Sequence, residues 1–459
     1  MDIFGKTITL LFLGAMLAAC APGPVVNTSA TPIAATVIAP ARSPEPAQES
    51  TAAPATLSIE EPLTVTFAKD GDLHLWDSES QQSRTIVKAG DITSVMMSDD
   101  GQVIAFLRRS LVEQPELVEY VSLWAVSRSG ENPRELVSAE SLRQRLNPDP
   151  RDSVAIAQFN WIPGTHRLVY NASKHYLPGQ GFTLSTDIYM VDADTGADTV
   201  LAADVMPGTL FVNAWRYVIS PDGRRIALFS STELSLLDSD GSNLRRGVLT
   251  YPGVGMGDAV LLPRGVWAED SSAFVFTGPM ESASPFVLNY TIWRVPADGS
   301  PPQPLVELRD SHSSYISFSP DGGRMAFFQD TNGDGVIQTE DQQIMPLGMG
   351  TGPLTLPPRD EQSDVRWSPD GEAFVIKDQN LLRLCAEATN AAQVCGDPIP
   401  LAGRAELIDG FEWVDEDSFL YRVVEPTTLS LGRLDGTITP IFTLTEEETW
   451  GGWSFHTSP

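Results

Sequence analysis

A five-residue stretch, FSPDG at residues 318–322, decides the fold because it recurs along the chain. Near-identical copies are ISPDG at 219–223 and WSPDG at 367–371; weaker copies are MSDDG at 97–101, WIPG at 161–164, WAED at 267–270 and WVDED at 413–417. In the full copies a bulky apolar residue is followed by proline, aspartate and glycine, the residues that favour a type I turn and the left-handed position after it. This tag therefore predicts a repeated connection between two β-strands.

Strand patterns follow every tag. Apolar runs rich in strand-forming residues lie at 103–106, 167–170, 225–229, 273–276, 325–328, 373–376 and 419–421. An alternating pattern such as DIYMVD at 187–192 and a shorter run such as RELV at 134–137 supply a third and a fourth strand. Four strands per unit, with no helical periodicity between units, are typical of a β-propeller. We therefore expect an all-β fold, a single propeller of four-stranded blades.

The two ends of the repeat region complete each other. Residues 63–67, 72–77 and 85–87 read as the last three strands of a blade without a first strand, whereas 453–456 reads as a first strand with nothing after it. Pairing the terminal strands would close the ring and remove free sheet edges. Seven tagged units plus this shared one predict eight blades, with seven as the second choice and six as the third.

The tag, followed by runs such as RIALF at 225–229 and IYMVD at 188–192, resembles the WD40-like (PD40) repeat of TolB-type propellers. The resemblance covers residues 63–459. It implies an extracytoplasmic binding platform that acts through contacts in the cell envelope. The expected blade number departs from the six of TolB, so partners of TolB are not carried over.

The N-terminal residues 1–20 are typical of a lipoprotein signal peptide. An apolar stretch from Ile8 to Leu17 is too short for a permanent membrane span. The LAAC sequence at 17–20 resembles the lipobox of bacterial lipoproteins, which implies lipid modification of Cys20. An ordinary cleaved signal peptide with an incidental cysteine is the alternative. We expect a chain anchored by its lipid to a membrane of the cell envelope, facing the periplasm or the exterior.

Residues 21–62 are rich in proline, alanine, threonine and serine, a composition that cannot bury enough apolar surface to fold. We expect a disordered tether, followed by the propeller over 63–459. The net charge of −30 disfavours nucleic acid and anionic lipid surfaces as partners. We expect a monomer.

The chain has three cysteines. If Cys20 carries lipid, Cys385 and Cys395 remain as a natural disulfide pair in an exported protein. Free buried thiols are the alternative.

A different acidic stretch, DTNGDGVIQTED at 330–341, resembles the calcium loop of EF-hand and dockerin modules. Oxygen ligands at loop positions 1, 3 and 5, a glycine at 6 and a carboxylate at 12 suit a hard cation with six or more oxygens. The resemblance implies a structural Ca²⁺ site with ligands Asp330, Asn332, Asp334, Val336, Gln338 and Asp341. The alternative is a metal-free hairpin loop.

Two classes of function remain open. The first is a surface-anchored platform that binds a protein, a peptide or a glycan. The second is a carbohydrate-active hydrolase or lyase working at the central funnel, as some propellers do. No Gly-x-Ser-x-Gly elbow occurs, so a serine hydrolase of that type is disfavoured. We assign no catalytic residue. The tryptophans beside the tags are expected to pack in the core rather than to stack on sugars.

Overall fold

The computed structural model describes residues 62–457, except 115, 176–182, 206–214, 257–258, 261, 281–287, 312–315, 329–341, 348–353, 356–364, 379–380, 388–392, 400, 402–407 and 446. Residues 1–61 and 458–459 lie outside the described part. The proposed lipid site, the tether and the calcium loop therefore fall outside it.

Nearly all regular structure is β. The first third of the repeat region holds β1 (Leu63–Lys69), β2 (Asp72–Asp77), β3 (Gln82–Val87), β4 (Ile92–Met97), β5 (Val103–Gln114), β6 (Glu116–Ser127), β7 (Arg134–Val137), the helix α1 (Ala139–Leu146), β8 (Ser153–Trp161), β9 (Arg167–His175), β10 (Thr183–Leu184), β11 (Ile188–Asp192) and β12 (Asp198–Ala202).

The middle third holds β13 (Trp215–Ile219), β14 (Arg225–Ser230), β15 (Glu233–Asp238), β16 (Arg245–Thr250), β17 (Gly255–Met256), β18 (Ala259–Val260), β19 (Gly265–Trp267), β20 (Ala273–Pro279), β21 (Leu288–Pro296), β22 (Gln303–Ser311), β23 (Ser317–Phe318), β24 (Arg324–Phe328), β25 (Gln342–Pro346) and β26 (Leu354–Thr355). The last part holds β27 (Arg366–Trp367), β28 (Ala373–Asp378), β29 (Leu381–Glu387), β30 (Gln393–Ile399), β31 (Ile408–Trp413), β32 (Ser418–Val424), β33 (Thr427–Arg433), β34 (Ile438–Thr443) and β35 (Trp450–Thr457).

These strands form successive antiparallel sheets. Four-stranded sheets have the orders β3-β2-β1-β35, β13-β14-β15-β16, β19-β20-β21-β22, β23-β24-β25-β26, β27-β28-β29-β30 and β31-β32-β33-β34. A nine-stranded sheet contains β4-β5-β6-β7 and β8-β9-β11-β12, which meet where β6 and β8 run parallel at Tyr120 and Val154. The expectation of an all-β chain is confirmed, and the repeated four-stranded sheets are consistent with a propeller.

The tag turns explain why serine, aspartate and glycine recur. The Ser220 hydroxyl donates to Asp222 Oδ1 at 2.6 Å and accepts the Arg225 N–H at 2.9 Å. The Gly223 N–H donates to the Ser220 carbonyl at 2.9 Å, and Gly223 lies in the left-handed region at φ +68°. The same bonds recur in the turns at 98–103, 319–324 and 368–373. One motif therefore joins the first two strands of several sheets in the same way.

The apolar core lies between sheets. Phe229 and Leu234 of one sheet pack with Trp267 and Phe274 of the next. Other clusters join each remaining pair of successive four-stranded units, including the two halves of the nine-stranded sheet. Each sheet is therefore stabilised mainly by its neighbours.

The two ends of the described chain share one sheet. β1 pairs with β2 on one side and with β35 on the other, in register from Leu63–Thr457 to Lys69–Trp450. A buried cluster joins β1 residues such as Phe67 to Leu420 and Leu429. The Gly101 turn lies against His456, where a Cβ on residue 101 would stand 2.3 Å from the imidazole Cδ2. The terminal strands are therefore packed from both sides.

The helix α1 was missed by the sequence analysis, which found no helical periodicity. It begins at a Ser138 cap whose hydroxyl accepts the Ser141 N–H at 3.1 Å, and it ends at Asn147 in the left-handed region. Leu142 is fully buried, and Arg145 forms an ion pair with Asp198 at 2.5 Å. A helix of eight residues with one buried leucine is too short for its periodicity to stand out. No helix in the described ranges is long and apolar enough to cross a bilayer.

Candidate functional site

The residues predicted to bind calcium fall in the undescribed segment 329–341. The strands at its two ends are described: β24 ends at Phe328, β25 begins at Gln342, and the register pairs these two residues. The segment therefore connects the second and third strands of one sheet. Cys20 also falls outside the described residues.

The structure brings Cys385 and Cys395 together as a disulfide, with sulfur atoms 2.02 Å apart. The two residues face each other across β29 and β30. Cys385 is fully buried in the cluster between two sheets. The bridge joins an interior strand to the outermost strand of its sheet.

The tag tryptophans pack in the core, as expected. Trp267 is 2 % exposed and its Nε1–H donates to the Val218 carbonyl of the preceding sheet at 3.0 Å. Trp161 and Trp413 make the same bond to the preceding unit, at 3.3 and 3.1 Å. These indoles tie neighbouring units together, so they offer no face to a sugar.

A cavity of about 410 Å³ opens where tag turns of the two halves of the nine-stranded sheet meet. Its lining residues are Asp99, Asp100, Gly164, Thr165, His166 and Asp194. Asp99 and Asp100 belong to the tag turn before β5, His166 follows the tag turn before β9, and Asp194 lies in the turn between β11 and β12. Antiparallel order brings these turns to the same edge of the sheet.

His166 is held at both ring nitrogens in this cavity. Nε2 lies 2.9 Å from Asp100 Oδ2, and Nδ1 lies 3.0 Å from Asp194 Oδ2. Asp99 accepts the Gly164 N–H at 2.9 Å. Two carboxylates thus contact the imidazole, and a third, that of Asp99, lines the same cavity. Arg134, 3.8 Å from Asp194, offsets one of these charges, so one net negative charge remains in the cavity when the ring is protonated. Its open space suits a cationic or hydroxyl-rich group.

These contacts shift the pKa values of His166 and Asp100. Burial on its own lowers the pKa of His166, but hydrogen bonds to Asp100 and Asp194 outweigh burial and hold this pKa above the ordinary value. Burial would raise the pKa of Asp100, whereas hydrogen bonds from Ser98, the Gln102 N–H and His166 bring it below its usual range. The two carboxylates therefore favour the protonated, cationic form of the His166 ring.

We expect His166→Gln to destabilise the protein most in mildly acidic solution. A histidine whose folded-state pKa is raised contributes its full stabilisation below the unfolded pKa, about 6.5, and loses it as the pH rises through the folded value. Because both aspartates are more than half exposed, the effect should be only about 0.5–1 kcal/mol. Urea unfolding of both proteins at mildly acidic and mildly alkaline pH measures the difference.

His74→Gln is the matched control, because its pH dependence should have the opposite sign. Burial lowers the pKa of His74 on β2, so its contribution is present above the unfolded pKa and is lost as the pH falls. A destabilisation by His166→Gln that does not change with pH would contradict the charged arrangement at the cavity.

A second cluster of polar side chains joins β31 to β35. Glu412 on β31 accepts the Trp453 Nε1–H at 3.0 Å. Burial raises the pKa of the Glu412 carboxyl above its usual range, an effect that Trp453 and the charge of Arg366 only partly offset. The Glu412 side chain is nevertheless accessible to water. The Glu412 carboxyl therefore reaches water while protein encloses it in part.

Neither cluster was identified from the sequence, because their members are far apart along the chain. In the part of the chain that the structure describes, no group of three or more His, Cys, Asp and Glu side chains is arranged to hold a metal ion.

No family model matches the chain, and no curated protein matches it. Solved structures match with low identity. The β-propeller domain of the trilobed protease from Pyrococcus furiosus is 12 % identical, covers 77 % of this chain and 95 % of its own, and has a TM-score of 0.44. Dipeptidyl peptidase 4 from Porphyromonas gingivalis is 12 % identical, covers 78 % and 54 %, and has a TM-score of 0.47. An oligogalacturonate lyase in complex with manganese is 13 % identical, covers 70 % and 84 %, and has a TM-score of 0.43. These likenesses are distant, so the interpretation of the fold depends on the sheet order and the clusters between sheets.

Proposed function

We propose that the chain is a propeller platform that binds a protein, a peptide or a glycan of the cell envelope through the cavity around His166. The observation that carries this proposal is the pair of contacts from His166 to Asp100 and Asp194. An imidazole whose two nitrogens both contact carboxylates has no free lone pair with which to act as a general base. The cavity is therefore better suited to binding than to general-base catalysis.

The platform is a closed ring of eight blades in this proposal. The order of the strands supports it, since six four-stranded sheets and the two halves of the nine-stranded sheet make eight units. Buried clusters between successive units, including the one that joins β1 to Leu420, support closure. The pairing of β1 with β35 would supply the last seam. The first strands would then line a central channel.

A lipid on Cys20 and the tether over 21–62 would hold this platform at a membrane. The LAAC sequence and the composition of the tether support this part of the proposal. A domain on a flexible, anchored stalk gains local concentration at the envelope, which favours binding to other envelope components.

A structural Ca²⁺ ion would be bound by residues of the 330–341 loop, with Asp330, Asn332, Asp334, Gln338 and Asp341 as side-chain ligands and Val336 through its carbonyl. The pairing of Phe328 with Gln342 supports the proposal, because it holds the two ends of the loop opposite each other. Strands rather than helices flank the loop, so a bound ion would stiffen a connection instead of opening a pair of helices.

Calcium at tenfold over its dissociation constant should stabilise the protein by about 1.4 kcal/mol. We expect the melting temperature to rise with added calcium and to fall back with chelator. Asp330→Ala should remove the calcium response, whereas Asp222→Ala, in a tag turn, should lower the melting temperature without removing that response. An unchanged melting temperature of the wild-type protein in chelator would exclude the site.

Catalysis in the channel is the second candidate function, and Glu412 is the observation that favours it. A carboxyl whose pKa is raised by burial is suited to give a proton to a leaving group. Such an enzyme would be a carbohydrate-active hydrolase or lyase. The Trp453 indole and Arg366 would position the acid rather than react.

Affinity capture from native membranes with the full lipidated chain tests the two functions against each other. If the chain is a platform, one stoichiometric envelope partner should be retained. The double variant Asp99→Asn plus Asp194→Asn should no longer retain this partner, whereas Asp222→Asn, in another tag turn, should still retain it. Turnover of a glycan panel that stops in Glu412→Gln, with no retained partner, would instead establish the enzyme.

A further inference from the structure

A long hairpin projects from the nine-stranded sheet. β5 and β6 pair without interruption from Val103–Ser127 to Gln114–Glu116. β4 accompanies β5 only as far as Arg108, so the hairpin continues beyond the edge of its sheet. The bidentate contact of Arg108 with Asp91, at 2.8 and 2.9 Å, fixes its base.

The projecting part of β5 presents an open strand edge. The Arg109 N–H donates to the Asp91 carbonyl at 3.0 Å, so the main-chain groups of Arg109 point away from β6. Outward and inward residues alternate along an antiparallel strand, so the main-chain groups of Leu111 and Glu113 point the same way. Among the described residues no strand pairs with them there. The edge at residues 111 and 113 therefore offers donors and acceptors that no described strand uses.

The side chains beside this edge are apolar and acidic, apart from Arg109, whose guanidinium forms an ion pair with Glu119. Leu111 and Leu117 are 52 % and 45 % exposed, and they are two of the three large apolar side chains that stand exposed in the described ranges. Glu113 is directly opposite Leu117 and two residues from Leu111, so all three share one face. In the described part of the chain the Glu113 carboxylate has no ion pair.

We propose that this edge binds an extended segment of a partner protein by strand addition, with apolar and basic residues of that segment on the face of Leu111, Leu117 and Glu113. Main-chain hydrogen bonds to residues 111 and 113 supply affinity, and the side chains supply specificity. This inference rests on the proposed function as a binding platform.

Charge decides the kind of occupant. A second copy of this chain carries the same net charge of −30 and would be repelled, as would an anionic lipid surface. A lysine or arginine beside Glu113 is favourable. The occupant is therefore a basic, extended peptide segment.

Photo-crosslinking with a defined probe tests the proposal. A benzoyl-phenylalanine replaces the exposed Ser110 in the full chain, and the probe is the peptide acetyl-Thr-Lys-Thr-Val-Thr-Val-Thr-amide, which places lysine and both valines on one face. We expect a crosslink that falls about tenfold when glutamate replaces the probe lysine or in Glu113→Lys. The two changes together, with glutamate in the probe and Glu113→Lys in the chain, should restore it.

Two further variants separate the main chain from the side chains. Leu111→Pro removes an outward N–H that the hairpin itself does not use, so the crosslink should fall about tenfold while the melting temperature stays within a few degrees. The double variant Leu111→Ser plus Leu117→Ser should also weaken the crosslink. Val200→Ser, which changes the third exposed apolar residue, should not.

Equal crosslinking of the lysine and glutamate probes, or a product of twice the chain mass in place of the peptide adduct, would overturn the strand-addition site. If the wild-type chain retains an envelope partner whose binding none of these hairpin variants weakens, the platform stands and the hairpin proposal fails. If no partner is retained at all, both proposals fail.

Discussion

Deletion of residues 450–459 is expected to abolish cooperative unfolding. β1 would lose its partner along the whole length of β35, and Met97 would lose the Ser454 hydroxyl that accepts its N–H at 3.0 Å. Full burial of a large apolar side chain contributes about 1.5–3 kcal/mol, and Trp453 and Phe455 are half-buried. Their contacts together with the pairing of a whole strand are a large share of the total stability of a domain, about 5–15 kcal/mol. Circular dichroism during urea unfolding is the measurement.

A synthetic peptide of residues 448–459 supplies the control. Added to the truncated chain, it should restore the transition, whereas a scrambled peptide of the same composition should not. A truncated chain that unfolds at the same urea concentration as the full chain would show that β35 contributes nothing to the core.

Trp267→Ala should cost about 3–5 kcal/mol, the range for removing a buried aromatic side chain. Trp267 packs against Phe274 with ring centres 5.3 Å apart, and its Nε1–H reaches across to the preceding sheet at Val218. The substitution therefore opens a cavity between two sheets and leaves a carbonyl without its donor. Chemical unfolding measures the loss.

Trp267→Phe separates the two contributions. It keeps most of the packing and removes the hydrogen bond, so about 1 kcal/mol is expected. If the tag tryptophans instead bound a ligand, Trp267→Ala would leave the free energy of unfolding unchanged and weaken partner retention, which is the opposite result.

The fold could be predicted from the sequence because its decisive signal is local and repeated. Proline, aspartate and glycine in consecutive positions specify a turn without reference to the rest of the chain. The strand pairing between the two ends could also be predicted from the sequence, because the blade that begins at Leu63 lacks a first strand and the strand that ends at Thr457 can supply it. The structure adds the reason for the repeated spacing inside the tag, the bond from the Ser220 hydroxyl to Asp222.

The cavity could not be predicted, because its residues meet only through the fold. His166 lies 66 residues from Asp100 and 28 from Asp194 along the chain. No spacing rule covers such distances, although alignment of the tags would have placed Asp100 and His166 at neighbouring turns. The long hairpin was missed for another reason: beyond the apolar run at 103–106 the sequence has no strand pattern of its own, and pairing with β6 keeps it extended.

The position of β1 in the middle of its sheet has a mechanical consequence. The described chain enters at Leu63, and β1 is bonded along its length to β2 and to β35. A pull along this strand from its N-terminal end loads both ladders in shear, so many hydrogen bonds resist together instead of opening one after another. A stalk attached ahead of Leu63 could therefore carry tension from a captured partner without unravelling the domain from its first residue.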